Sequence, residues 1–173
     1  MDQVFKKYAP YDILVSAATG GTRAAGNFLE MDMPGFRSSF DKLWGYANVI
    51  RHGTEYLTQK GSIVLVSGAP ARKTKPGMVT LSVVGGAVEN LVRAAALEMS
   101  PKRINVVSPG IIDTPLFPQE GDEREKFIKN FTSNHSIKRA GEPEEVAAAI
   151  IFLIENDFVN GTTVDVDGGW LLS

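Results

Sequence analysis

Ser62-Ile-Val-Leu-Val-Ser67 is the stretch that decides the fold. From Ile63 to Val66 it is unbroken apolar and rich in β-branched residues. A strand with one wet face alternates polar and apolar residues, whereas a strand covered on both faces does not. The stretch therefore predicts an inner strand of a parallel sheet. Three more runs read as strands: Asp12-Ile-Leu-Val-Ser16, Arg103-Ile-Asn-Val-Val-Ser108 and Thr162-Thr-Val-Asp-Val166.

Helical patterns lie between these strands. From Phe40 to Leu57, Phe40, Leu43, Trp44, Ala47, Ile50 and Leu57 form roughly one stripe, with Ser38 or Ser39 as cap. A second helix is expected over Leu81–Met99, with Val84, Val88, Leu91 and Ala95 on one side. Gly85 and Gly86 fall inside it and cost about 1 kcal/mol each relative to alanine. Either a neighbour or ligand approaches closely there, or the helix starts late, near Ala87. A third helix runs from Pro143 to Asn156, with proline at its first position and Glu144 and Glu145 at the positive end of the dipole. Strand and helix alternate, which implies a parallel α/β sheet with right-handed crossovers. The polar segment Pro115–Arg139, with a short helix at Glu123–Asn130, interrupts the alternation and is placed to cover a ligand crevice.

The 173 residues amount to about one domain. Net charge is −2, which gives no field for nucleic acid or an acidic membrane surface. There are no cysteines and two histidines, His52 and His135. Disulfides, thiolate metal sites, a cysteine nucleophile and a histidine-rich metal site are therefore excluded, and the composition suits a cytoplasmic enzyme. No apolar run reaches 18 residues, so no membrane span is expected.

Three segments then carry a family resemblance. Arg103-Ile-Asn-Val-Val-Ser-Pro-Gly-Ile-Ile-Asp-Thr-Pro-Leu116 is similar to the strand-six motif of the short-chain dehydrogenase/reductase family. Arg139-Ala-Gly-Glu-Pro-Glu-Glu-Val146 resembles its R-x-G-x-P-x-E segment, and Gly161-Thr-Thr-Val-Asp-Val-Asp-Gly-Gly169 its terminal motif. Asp12–Val15 and Gly61–Ser67 match its fourth and fifth strands. The resemblance covers essentially the whole chain. It implies a single, incomplete Rossmann-like domain over residues 1–173: a parallel sheet with helices on both faces, corresponding to the family's last two-thirds. The glycine-rich phosphate loop of the family's first unit is missing. Gly20-Gly21 follows the fourth strand without the G-x-G-x-x-G spacing and reads as a turn.

The resemblance also implies chemistry. The family's tyrosine and lysine fall at Leu81 and Gly85, its serine at Gly68, and its helix asparagine at Ala47. None of these side chains transfers a proton, so the standard mechanism is closed to this chain. The nearby replacement candidates are Ser67, Ser82 and Asn48. For the cofactor, NADP(H) or NAD(H), the resemblance points to Ser16, Arg51, Pro109, Gly110, Ile112 and Thr114; no metal is implied. Asp113 reads as a general base at a crevice or a solvent-facing turn residue, His135 as a substrate contact or a surface histidine, and Trp170 as packed at a subunit contact or over the site. The implied activity is an atypical oxidoreductase of a small organic carbonyl or imine, in the manner of natural-product branches of the family. A non-redox cyclase on the same scaffold and an inactive remnant that pairs with a second copy or a full-length relative are the alternatives. Association is expected in any case, because the strand at Ile13 lacks the neighbour it has in a complete domain.

Overall fold

The computed structural model describes residues 2–18 and 23–173. The expected turn at Gly20-Gly21 lies outside the described residues. Helix α1 (Asp2–Tyr8) leads into β1 (Tyr11–Ser16). Helices α2 (Met33–Ser38) and α3 (Asp41–Tyr56) precede β2 (Leu57–Val66). Then follow α4 (Val79–Met99), β3 (Arg103–Pro109), α5 (Gly121–Thr132), α6 (Pro143–Glu155) and β4 (Thr163–Val166). Short 3₁₀ turns occupy Phe28–Glu30, Ala69–Ala71 and Trp170–Leu172.

Among the described residues the sheet has four strands in the order β1-β2-β3-β4, all parallel. Ile63 and Val64 stand opposite Leu14 and Val15 on one side and Ile104 and Asn105 on the other. This is the parallel α/β sheet that the alternation of strands and helices implied, in the Rossmann-like form that the family resemblance implied. On one face Ile63, Leu65, Ile104 and Val106 pack under Tyr46 of α3 and Val88, Val92, Ala96 and Met99 of α4. On the other, Val64 and Val107 meet Leu153 of α6. By length and composition α4 is apolar enough to cross a membrane, although no unbroken apolar run signals it. Here Val88, Val92, Ala96 and Met99 of α4 pack on the sheet, while Val83 and Leu97 stay exposed.

Several local expectations change. The α4 helix begins at Val79, so the late start near Ala87 is wrong and both glycines are helical. A Cβ on Gly85 would stand 2.9 Å from Ala71 Cβ: a neighbouring turn, not a ligand, makes the close approach. Neither serine caps α3. Ser39 instead ends α2, and its hydroxyl donates to Gly35 O at 2.9 Å and accepts from Ala24 N at 2.9 Å. The buried stripe of α3 runs through Tyr46 and Gly53, while Trp44 is 66 % exposed beside Met33 and Phe36 of α2. α1 and α2 are too short to show a period.

The recurring polar residues have mechanical roles. Arg103 is buried and donates to Leu153 O, Ile154 O and Val159 O at 2.8, 2.7 and 3.0 Å. Its guanidinium thus caps the carbonyl end of α6, where a cation is favoured. Asn105 Nδ2 donates to Val159 O at 3.0 Å and Asn105 Oδ1 accepts from Thr162 N at 3.1 Å. At the other end of α6, Glu145 pairs with Arg139 at 2.7 Å and accepts from Glu142 N, which closes a capping box. These contacts hold the Glu145 carboxyl down at about 2, the Arg139 hydrogen bond contributing most.

Candidate functional site

At the carboxyl ends of β1, β2 and β3 lies a cavity of about 490 Å³. Open α/β sheets bind ligands at this edge. Its walls are mainly apolar. Pro109, Gly110, Ile111, Ile112 and Thr114 run along one side. Val84, Leu81 and Gly85 of α4 form another, and Phe127 and Phe131 of α5 a third. The segment after β3 is held in place by backbone bonds: Gly141 N donates to Ile111 O and Asp113 N to Gly141 O, each at 2.8 Å. Gly110 passes the backbone of Asp167 so closely that a Cβ would stand 2.8 Å from it. Only glycine fits there.

Trp170 closes the back of the cavity and is 2 % exposed. It gets there through the Asp167-Gly-Gly169 turn. Asp167 accepts from Gly169 N and Leu171 N at 2.9 Å each, and Gly168 and Gly169 adopt φ of +62° and +84°. His135 stacks on the Trp170 ring at 5.5 Å, and Lys75 sits 5.5 Å from the same ring. His135 is buried, not a surface residue. Burial pushes its pKa down, and Lys75 adds to that.

The predicted site residues divide. Pro109, Gly110, Ile112, Thr114 and Ser67 all line the cavity. Ser16 ends β1 one residue short of Ala17, which does. Asn48 and Arg51 do not line it: both lie on the exposed side of α3. Ser82 does not line it either; it is half-buried on α4, one residue round the helix from Leu81. Asp113 is taken by an ion pair with Arg124 and so is no free base. Among the described residues no group of three His, Asp or Glu side chains could hold a metal.

Ser67 is constrained. Its hydroxyl donates to Glu89 Oε1 at 2.9 Å, and Glu89 is 1 % exposed. Glu89 Oε2 faces Arg72 Nε at 3.2 Å, and Arg72 pairs in turn with Asp165. A serine has one proton to give. With it engaged by Glu89, Ser67 offers the cavity lone pairs and cannot donate to a substrate carbonyl.

Two cationic residues at this cavity escape a motif-based reading. Lys42 of α3 and Arg23, after β1, both line it. Lys42 Nζ reaches Ser67 O at 3.4 Å and lies 5.5 Å from the Tyr46 ring. Burial brings its pKa down to about 8, and the charge of Arg23 pushes the same way. Tyr46, one turn further on, is no substitute for the family's tyrosine. Its hydroxyl donates to Val66 O at 3.0 Å, and burial raises its pKa to about 12. The signal for Lys42 was a cation inside the core-facing register of α3; the signal for Glu89 was a carboxylate in the apolar run of α4.

The comparisons now bear on identity. A family model described as enoyl-(acyl carrier protein) reductase matches residues 1–171. The chain belongs to the short-chain dehydrogenase/reductase family. Among its relatives, NADPH-dependent aldehyde reductase 1, chloroplastic, of Arabidopsis thaliana is 30 % identical over 175 residues; the match takes in 98 % of this chain and 60 % of that protein. Meso-2,3-butanediol dehydrogenase of Serratia marcescens is 34 % identical over 179 residues, 98 % of this chain and 68 % of its own length. A solved small-chain dehydrogenase in complex with NADPH superposes with a TM-score of 0.92 at 32 % identity, over 99 % of this chain and 79 % of that one. The chain thus spans about 60 % of the Arabidopsis relative's length. Within the short-chain dehydrogenase/reductase fold, the cavity lies on the side formed by the last two-thirds of the domain.

Proposed function

We propose that this chain forms the substrate and nicotinamide side of an atypical NADP(H)-linked oxidoreductase acting on a small organic carbonyl or imine. One observation carries the reading: a single apolar cavity brings Pro109, Gly110, Ile112 and Thr114 against the positions Leu81 and Gly85. The residues present fit half of a dinucleotide. The 109–114 segment offers a fixed backbone edge for a nicotinamide, whereas no G-x-G-x-x-G in the 173 residues cradles a pyrophosphate. A reduced nicotinamide, when bound, supplies hydride.

The chain's own residues then orient the acceptor and exclude water. Phe127, Phe131 and Trp170 line the cavity with aromatic rings. Leu81 and Gly85 move no proton, and Ser67 only accepts. That leaves the Lys42 ammonium, which reaches Ser67 O just past β2, as a proton-bearing group lining the cavity. Loss of the tyrosine and lysine also favours a second reading, a cyclase that shapes a reactive intermediate without redox change. The same loss supports a place in secondary metabolism, and a cytoplasmic location belongs to the same proposal. Association with a second copy or a full-length relative is part of it as well. Ile13 and Val15 are exposed on β1, and Trp44, Val83 and Leu97 stand exposed on α3 and α4. An inactive remnant serving only as such a partner is the alternative without catalysis.

The test is titration with NADPH, followed by Trp170 fluorescence and thermal shift, then NADPH oxidation at 340 nm over a panel of aldehydes, ketones and imines. Binding weaker than about 10 µM is expected, because the phosphate cradle contributes much of a dinucleotide's affinity. Sub-micromolar binding would contradict this partial fit. No binding at millimolar NADPH, alone or with a full-length relative, would sink the redox reading.

A further inference from the structure

The cavity holds an electrostatic imbalance. Its lining includes two cations, Arg23 and Lys42, and no carboxylate. Among the described residues neither cation makes an ion pair. The acids nearby are already committed. Glu89 serves Ser67 and Arg72, Asp165 serves Arg72, and Asp113 serves Arg124. Lys42 spends one long hydrogen bond on Ser67 O, leaving two of its three N–H groups unspent. Arg23 is near enough for its charge to act on both Lys42 and Tyr46.

Like charges facing an apolar space are costly unless a counter-charge arrives. A neutral ketone brings none. A carboxylate brings two oxygens, one for the planar fork of an arginine and one for an ammonium. The rest of the lining, with Leu81, Val84, Phe127 and Phe131, asks for an apolar body attached to that head. We propose that Arg23 and Lys42 form a carboxylate-binding site, so that the cavity selects oxo acids with an apolar body over neutral carbonyl compounds. The inference rests on reading the cavity as the substrate site, but it requires neither hydride transfer nor turnover.

Binding of 2-oxooctanoate and 2-octanone to the full chain tests it. The readout is Trp170 fluorescence in a Trp44→Phe background, which removes the exposed tryptophan, with calorimetry as a second measure. The acid should bind at least tenfold tighter than the ketone. Lys42→Met and Arg23→Met should each weaken the acid about tenfold, as loss of a charge-assisted contact does, and leave the ketone within twofold. Lys42→Arg should keep most of the acid's affinity. Melting curves establish that each variant is folded.

Raising the pH from 7 through 9.5 should weaken the acid, because Lys42 gives up its proton near 8. The slope should vanish in Lys42→Met. The charged and titratable groups around Lys42 are Arg23 on the segment after β1, Tyr46 on its own helix, and Glu89 on α4 behind Ser67. Tyr46 stays protonated in this range. Equal affinity for acid and ketone, or acid binding untouched in both methionine variants, would overturn the site. So would a loss of NADPH affinity with acid binding intact, since the pair would then serve a cofactor phosphate. Tight acid binding without any NADPH oxidation would support the site and count against the redox reading.

Discussion

The two faces of the sheet are covered unequally. Over Ile63, Leu65, Ile104 and Val106 lie two helices, α3 and α4, and their cover extends to Leu14 on β1. Over Val64 and Val107 lies α6 alone. Ile13 and Val15 point to that second face and remain 50 % and 42 % exposed, although Val15 stands directly opposite the buried Val64. The strand residues are equally apolar on the two sides. What differs is what packs on them. Burial belongs to the assembled layers and not to the strand sequence, so a β-branched run predicts cover that some other element must provide.

The largest test of this contrast places one charge on each region. Val106→Asp buries a carboxylate with no partner under α4 and should cost more than about 4 kcal/mol, enough to prevent folding. A cooperative urea transition in that variant would show the two-helix face to be far looser than its packing implies. Next comes Arg103→Met, which tests what holds the single helix on the sparser face. The Leu153 and Ile154 carbonyls at the end of α6 lose their donor, Val159 O keeps only Asn105, and a loss of about 3 kcal/mol is expected from the denaturation midpoint. An unchanged midpoint would mean that Leu153 packing alone seats the helix.

His135 gives a smaller, pH-dependent effect on the cavity side. Its folded pKa lies below the ordinary 6.5, so the unfolded chain takes up the proton first as pH falls. Stability should be full above 6.5 and decline as pH drops below it, and His135→Gln should flatten that decline. The smallest change in stability is expected from Val15→Lys, within about 0.5 kcal/mol, because the side chain is half in water already. Its effect should appear in sedimentation instead, as a shift toward monomer, since a lysine on an edge strand opposes pairing. Undiminished association would move the contact to Trp44, Val83 and Leu97.

Most of the fold could be read from the sequence because β2 carries a buried, unbroken apolar run, β3 carries Ile104, Val106 and Val107, and α6 carries both its start signals and its stripe. The parallel pairing followed from alternation. The start of β2 at Leu57 did not, since Thr58, Gln59 and Lys60 are polar and the last two exposed. The site was half visible. Pro109, Gly110, Ile112 and Thr114 sit in a contiguous motif and were found together. Arg23, Lys42 and Glu89 come from three separate segments and meet only in space, so no spacing announces them. Asn48 and Arg51 miss the site for a different reason: of α3 only Lys42 lines the cavity, and both residues lie further along the helix on its exposed side.

The close approach at Gly85 bears on the order in which changes to this protein can be made. With no side chain at that position, the 69–71 turn has settled against α4, and Ala71 Cβ stands where a new Cβ would have to go. A methyl carbon on a packed backbone cannot swing aside as the tip of a long side chain can. Gly85→Lys alone therefore meets a steric wall before its ammonium can do any chemistry, and Leu81→Tyr gains nothing without it. Any route back to the family's proton-transfer pair first has to clear room, for example by Ala71→Gly. Three substitutions, at residues 71, 81 and 85, are then needed, and the one at 85 is harmful until Ala71 has given way.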